Sequence, residues 1–304
     1  MNDCRRDIVT LDEQRAVLPI LFGLLTSLCF AIASLLAQRG YHRGPTPWGA
    51  WITIAGNCVF LFAGHFLLES ETRLFIADNF VFVVVGLLVP GATRVLSFRG
   101  IRTMGSAITS TIVNTTPMFS TVLAVLVLGE RPGPLVLLGV ALTVAGLITV
   151  SWVGRQATFQ KIELIYPFSC ALIFSLKDVT VRWGLAGGGG QPILAAGIAA
   201  LTSTVEIYFI TRYVQKEKFV LPPAEVFGWF VWSGIFTGGS FLFMYIALSM
   251  ERVTIVAPLI NSYAVFVLLL APFMARQIES VTWRKIAGAG LVVAGIFLVS
   301  VGKD

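Results

Sequence analysis

The chain has 304 residues, 56% of them hydrophobic and only 12% charged, with a mean hydropathy of +0.85. A soluble domain carries about 25% charged residues, so too little polar surface is present to cover a globule in water. The net charge of +6 is spread singly over short connections with no basic run or interleaved aromatic patch, which argues against a nucleic-acid-binding face and fits loop charge that orients a membrane protein.

Ten apolar segments follow one another, each of the length that crosses about 30 Å of hydrocarbon as a helix. They are predicted at residues 16–37, 48–68, 79–100, 106–128, 134–153, 163–184, 192–212, 226–248, 254–274 and 284–301. The opening MNDCRRDIVTLDEQR is mixed in charge and precedes a full-length span, so it reads as the lead-in to a first membrane helix and not as a cleaved signal. The connections hold breakers, RGPTP, GERPGP, GGGGQP and LPP. Gly187–Gly190 lacks the Lys-Ser/Thr that a phosphate loop requires and reads as a hinge. Cys4, Cys29, Cys58 and Cys170 form no CxxC pair and have no His in ligand spacing, so neither zinc nor a disulfide framework is expected. The fold class expected is an all-α polytopic membrane protein.

Comparing LGERPGPLVLLGVALTVAGLITVS (Leu128–Ser151) with QIESVTWRKIAGAGLVVAGIFLVS (Gln277–Ser300) reveals a repeat at an offset of 149 residues. Glu130 then matches Glu279, Gly139 matches Gly288 and Gly146 matches Gly295, and the same offset sets the fourth span against the ninth without a gap. Two five-span units follow, 1–153 and 154–304. Because five is odd, they lie in the bilayer with opposite orientation. Inverted repeats of this kind are a transporter arrangement, with a site near the midplane between the halves.

Ala107–Leu147, AITSTIVNTTPMFSTVLAVLVLGERPGPLVLLGVALTVAGL, resembles the fourth and fifth helices of the drug/metabolite transporter superfamily, EamA type. The proline-bearing helix, the turn Leu128–Pro132 and the glycine-bearing helix after it carry the likeness. In the second copy Glu279 and Ala257–Leu259 fit the pattern, whereas the glycine and proline flanking the glutamate are missing. The resemblance implies a ten-helix bundle of two inverted halves around a central cavity, working by alternating access. It also implies a multi-pass protein of the cell membrane, a prokaryotic inner membrane, with both termini in the cytoplasm. Loop charge alone predicts the reverse orientation. Seven Lys and Arg lie on the N-terminal side, against twelve opposite: Arg39, Arg43, Arg99, Arg102, Arg155, Lys161, Arg212, Lys216, Lys218, Arg276, Arg284 and Lys285. The family orientation is the expectation carried forward.

A charge near the bilayer centre costs about 2.5–3.5 kcal/mol or more, so such residues face a cavity or a partner. Arg94, Lys177, Asp178, Arg182 and Glu206 are of this kind. Asp178 and Arg182 stand four apart and are expected to pair along one helix face. Lys177 points about 100° away and is left for a ligand, or else it takes Asp178 or Glu206 and holds helices together. Arg182 lies near its helix end, where it can also snorkel. Arg94 follows Pro90 and Gly91, which are expected to kink the third helix; it either binds solute or pairs with Glu206. By the repeat Arg94 falls opposite Phe243, and aligning Arg39 with Arg182 puts Ser34 opposite Lys177, so these charges break the symmetry of the scaffold. Asp178 and Glu206, the intramembrane acids, are the candidates for ion coupling.

Ser106, Ser110, Asn114 and Pro117 form a polar stripe on the fourth span. Thr254, Pro258 and Asn261 form a similar one on the ninth, with Tyr263 beyond it. These line a cavity or bond helix to helix. Tyr245 and Trp232 are cavity aromatics or anchors, and His65 is interfacial or a relay. The glycines of the fifth and tenth spans pack those helices or form a dimer seam. The reading favoured is a secondary transporter of a small organic anion or zwitterion, with Lys177, Arg94, Ser110, Asn114, Asn261, Tyr263 and Arg182 at the substrate. The alternatives are a proton-coupled exporter of cationic or amphipathic compounds and a lipid-handling protein on the same fold. No catalytic set and no nucleotide-binding motif occur, so neither an enzyme nor a cofactor is expected. The partners expected are the solute, protons or a counter-solute, and lipids, around a monomer or homodimer.

Overall fold

The computed structural model describes residues 2–44, 46–68, 79–104, 106–151, 161–186, 191–274 and 282–302. The side chains of 2–16, Arg94 and Ser106 lie outside the described residues, as do Glu279 and Gly187–Gly190. The first half comprises α1 (Asn2–Arg43), α2 (Gly49–Leu68), α3 (Phe80–Gly86), a π-helical turn (Leu87–Ala92), α4 (Thr93–Met104), α5 (Ser106–Val113), α6 (Thr116–Leu128) and α7 (Pro134–Ser151). The second comprises α8 (Ile165–Ala186), α9 (Pro192–Phe209) with a π turn (Ile210–Val214), α10 (Ala224–Met250), α11 (Val253–Ile260), α12 (Tyr263–Met274) and α13 (Trp283–Val301).

In hydrocarbon every backbone N–H and C=O must be satisfied within the chain, which restricts long apolar segments to helices. Among the described residues nine helices are long and apolar enough to cross a membrane. The tenth crossing is broken: the apolar stretch Phe80–Ala92 is short, and α4 continues it. The architecture is therefore all-α, two inverted five-helix repeats.

Three crossings are interrupted near their middles. In the third, Val89 leaves helical geometry (φ −136°, ψ 120°) just before Pro90, which has no N–H to give. The fourth breaks at Asn114–Thr115, between α5 and α6, and the ninth at Asn261–Ser262, between α11 and α12. A hydroxyl closes both of the latter in the same way. Thr115 Oγ1 donates to Ile112 O at 2.6 Å and Ser262 Oγ donates to Leu259 O at 2.7 Å. These mates are 147 residues apart, so the gapless 149 alignment of the fourth and ninth spans is two residues out at mid-membrane. The ends of α1 and α8 (Arg43, Ala186) and the starts of α2 and α9 (Gly49, Pro192) are 143 apart. The offset of 149 holds for α7 and α13. Small insertions between helices shift the register along the chain while leaving the repeat intact.

Packing follows the two-fold. α1 lies on α10 as α8 lies on α3 and α4, while α2 meets α9 and α6 meets α11 across the axis. α7 and α13 pack on each other through glycine. A Cβ on Gly139 would stand 2.6 Å from Gly295 O, and one on Gly146 would stand 2.6 Å from Gly288 O. Gly139 and Gly146 are the repeat mates of Gly288 and Gly295, and their crosswise pairing is what a two-fold between antiparallel helices produces. These four glycines serve a contact inside the chain and not a seam to a second copy.

Candidate functional site

α8 carries the charges to the centre of the bundle. Lys177 and Asp178 fall near the middle of the helix, with exposures of 7% and 1%. Lys177 Nζ stands 2.7 Å from Asp178 Oδ1 and 3.3 Å from Met244 Sδ on α10. Ser120 Oγ of α6 donates to Asp178 Oδ2 at 3.1 Å. The lysine expected to stand free is thus paired with its own neighbour. The 100° between their Cβ directions is spanned by the four-carbon stem of lysine. Beside the pair, the fully buried Tyr245 hydroxyl has no hydrogen-bond partner among the described residues, and the Asp178 carboxylate lies within its electrostatic reach. The Tyr245 ring is fixed between Phe82 (6.1 Å) and Phe241 (6.4 Å). Buried hydroxyls ordinarily find a partner, so this one keeps an unused hydrogen-bonding capacity beside the charged pair.

The expected Asp178–Arg182 pair does not form. Arg182 Nη1 donates to Leu248 O and Ser249 O, both at 2.8 Å. These are carbonyls of the last turn of α10, where helical partners run out and the dipole is negative. Glu130, in the turn before α7, performs the converse task. Its carboxylate accepts Val253 N–H (2.8 Å) and Thr254 N–H (3.0 Å), the first free donors of α11. Gly129, at φ +67°, gives the turn the left-handed conformation that brings Glu130 there. The motif glutamate is thus a clasp from the first half onto the second, a role invisible in its sequence context alone.

On α9, Ser203 and Glu206 face the break in the third crossing. Ser203 Oγ lies 2.9 Å from Gly86 O and 3.1 Å from Val89 O, next to the interruption. The Glu206 carboxylate occupies the space where a side chain on Gly91 would be, and its Oε2 has no hydrogen-bond partner among the described residues. The expected kink at Pro90–Gly91 is present, and Glu206 is its neighbour. The Arg94 side chain lies outside the described residues.

The polar stripes are largely internal. Asn114 Nδ2 donates to Ser151 Oγ at 2.6 Å, and Asn261 Nδ2 donates back to Ala257 O at 2.8 Å. Ser110 is exposed, and Tyr263 meets Phe30 edge to face at 5.0 Å. Ser27, absent from the sequence reading, binds the ninth crossing at its break, 2.5 Å from Leu259 O and 3.0 Å from Ile260 O. His65, expected at the interface, is fully buried, and Trp232 is exposed on the bundle's outer surface.

Broken, inverted helices around a buried charge cluster define a membrane transporter built from two inverted repeats. The EamA-like transporter family matches this chain twice, at residues 17–152 and 161–301. The chain belongs to the EamA-like transporter family, within the drug/metabolite transporter superfamily, and is a multi-pass membrane protein. Members of that family are transporters and not enzymes. A solved structure described only as "Crystal structure of protein" is 16% identical, with a TM-score of 0.77, over 94% of this chain and 97% of its own. It shares the fold. No curated protein matches this chain.

Proposed function

We propose that the protein is a secondary transporter of the cell membrane, a prokaryotic inner membrane, moving a small organic anion or zwitterion by alternating access. Lys177 is the cation that receives it. The observation that carries this reading is the buried Lys177–Asp178 pair, a lysine held at mid-membrane by an acid on the same helix, beside a Tyr245 hydroxyl with no hydrogen-bond partner among the described residues. A lysine there is costly, and its neighbour compensates it only until a carboxylate or phosphate on the solute replaces Asp178. Arg182 and Asn114 support the helix ends and breaks around that centre.

The test is thermal unfolding of the purified protein with succinate, glutamate and glycerol 3-phosphate, set against choline and tetraphenylphosphonium. A ligand that binds the folded state raises its stability by mass action. Stabilisation by an anion supports the reading, and stabilisation by the cations alone overturns it. That second outcome would favour export of cations, for which the supporting observation is that Glu206 Oε2 has no hydrogen-bond partner among the described residues.

A further inference from the structure

At the end of the bundle opposite the N-terminus, a cavity of about 470 Å³ opens between the α1–α2 turn and the connection from α9 to α10. Gly44, Thr46 and Trp48 form one wall, and Lys216, Glu217 and Lys218 the other. The connection is held in place by its backbone. Gln215 N–H donates to Ile210 O, Glu217 N–H donates to Thr211 O, and the indole N–H of the fully buried Trp48 donates to Lys218 O at 2.8 Å. Beneath it, Trp48, Trp51, Tyr208 and Phe219 form one aromatic cluster. Neither the Lys216 nor the Lys218 ammonium has an ion-pair or hydrogen-bond partner among the described residues. With Glu217, the wall therefore carries one surplus positive charge.

The flanks have a different character. Tyr213, Val214, Val220 and Leu221 are all more than half exposed. Arg39 and Arg43 stack on Trp229, each 5.4 Å from its ring centre, and Arg212 lies over Tyr213. Exposed apolar side chains, stacked aromatics and unpaired lysines at a helix end mark the headgroup depth of a bilayer. A free solute would use the cavity and the lysines but has no use for the apolar flanks. A lipid uses all three.

We infer that this cavity binds the phosphodiester headgroup of an anionic phospholipid, with the Lys216 and Lys218 ammonium groups on the phosphate and the acyl chains along Val214, Val220 and Leu221. The surplus of one positive charge matches a monoanionic headgroup. Basic pockets between membrane helices take anionic lipids in this manner. The site is separate from the α8 cluster, and the inference does not depend on which solute the protein moves.

The test uses the full-length protein in detergent, titrated with phosphatidylglycerol, phosphatidylcholine and glycerol 3-phosphate, and read by native mass spectrometry and thermal unfolding. Phosphatidylglycerol is expected to leave a one-to-one adduct and to raise the melting temperature, while phosphatidylcholine does neither. Lys218→Gln weakens the adduct about 5-fold and Lys216→Asn/Lys218→Gln about 30-fold, since each lysine near a lipid surface contributes about 5-fold. Asn suits the left-handed Lys216 backbone, at φ +57°. Arg99→Gln/Arg102→Gln, at the same end, leaves binding unchanged. Equal binding of the two lipids refutes the inference. So does a melting shift by glycerol 3-phosphate equal to that of the lipid, or an equal loss in the Arg99/Arg102 variant.

Discussion

Removing Lys177 alone cannot separate a binding role from a structural one, because its partner is buried with it. At 2.7 Å and an effective dielectric constant of about 20, the attraction is about 6 kcal/mol before the cost of desolvation. Truncating one member of a buried pair leaves an uncompensated charge and costs about 3–5 kcal/mol. Lys177→Met leaves Asp178 with the Ser120 hydroxyl as its one hydrogen-bond donor among the described residues. For a chain of this size about 2 °C accompanies each kcal/mol, so the variant should melt about 6–10 °C below the native protein. Lys177→Met/Asp178→Asn removes both charges, and the asparagine carbonyl still accepts from Ser120. Replacing both partners by neutral groups of similar shape is close to neutral, so the double variant should melt within about 2 °C of the native protein.

The assay that matters is then run on the restored fold. The double variant and the native protein are compared by melting against the anion panel and by solute counterflow in proteoliposomes. The expected outcome is a native-like melting temperature with no anion shift and no counterflow. An anion shift that persists in the double variant would refute the role of Lys177 and leave the pair as a strut between α8, α6 and α10. A double variant as unstable as the single would show that the loss lies in packing against Met244 and not in an orphaned charge.

Three further outcomes are expected. Gly139→Ala and its repeat mate Gly288→Ala should each cost about 1–3 kcal/mol by overpacking the α7–α13 contact. Gly290→Ala, with nothing within 4 Å, should stabilise by up to about 1 kcal/mol; thermal unfolding of the three reads the difference. Glu130→Gln offers one oxygen to two N–H groups and loses a charge at a helix N-terminus, a cost of about 1–2 kcal/mol, seen as a lower melting temperature with the anion shift retained. Glu206→Gln should abolish uptake driven by a pH gradient in proteoliposomes while leaving counterflow intact; unchanged pH-driven uptake would assign ion coupling elsewhere.

The ten crossings were legible because bilayer thickness writes itself into the sequence as runs of about 20 apolar residues, and the repeat because α7 and α13 share glycines that the contact requires. The kink at Pro90 was legible for the same kind of local reason, a missing donor. Partner choice was not. Asp178 and Arg182 satisfy the spacing rule for a helical pair, yet the end of α10, 66 residues further along the chain, offers Arg182 two carbonyls that no spacing rule contains. Lys177 was judged by the direction of its Cβ when the reach of its stem decided the outcome. His65 was assigned to the interface from its place near the end of its span, but helix packing buried it.

The symmetry of the scaffold sharpens the meaning of what departs from it. The breaks of the fourth and ninth crossings, the Thr115 and Ser262 hydroxyls that close them and the crossed glycines all occur twice, in mates set by the inverted repeat, whereas the break at Val89 has no mate in the continuous α10. Under the 143-residue register of α1 and α8, Lys177 and Asp178 fall opposite Ser34 and Leu35. Ser34 bonds back to Ala31 O of its own helix, and Leu35 is fully buried. The first half thus fills the equivalent place with an apolar side chain and a satisfied hydroxyl, and the bundle closes around it. Helix packing at that position does not demand an ion pair. A chain that places a lysine and an aspartate there, where each charge is costly, does so for something the scaffold itself does not need. On the proposed reading that something is the solute, and the double substitution at 177 and 178 is where the proposal stands or falls.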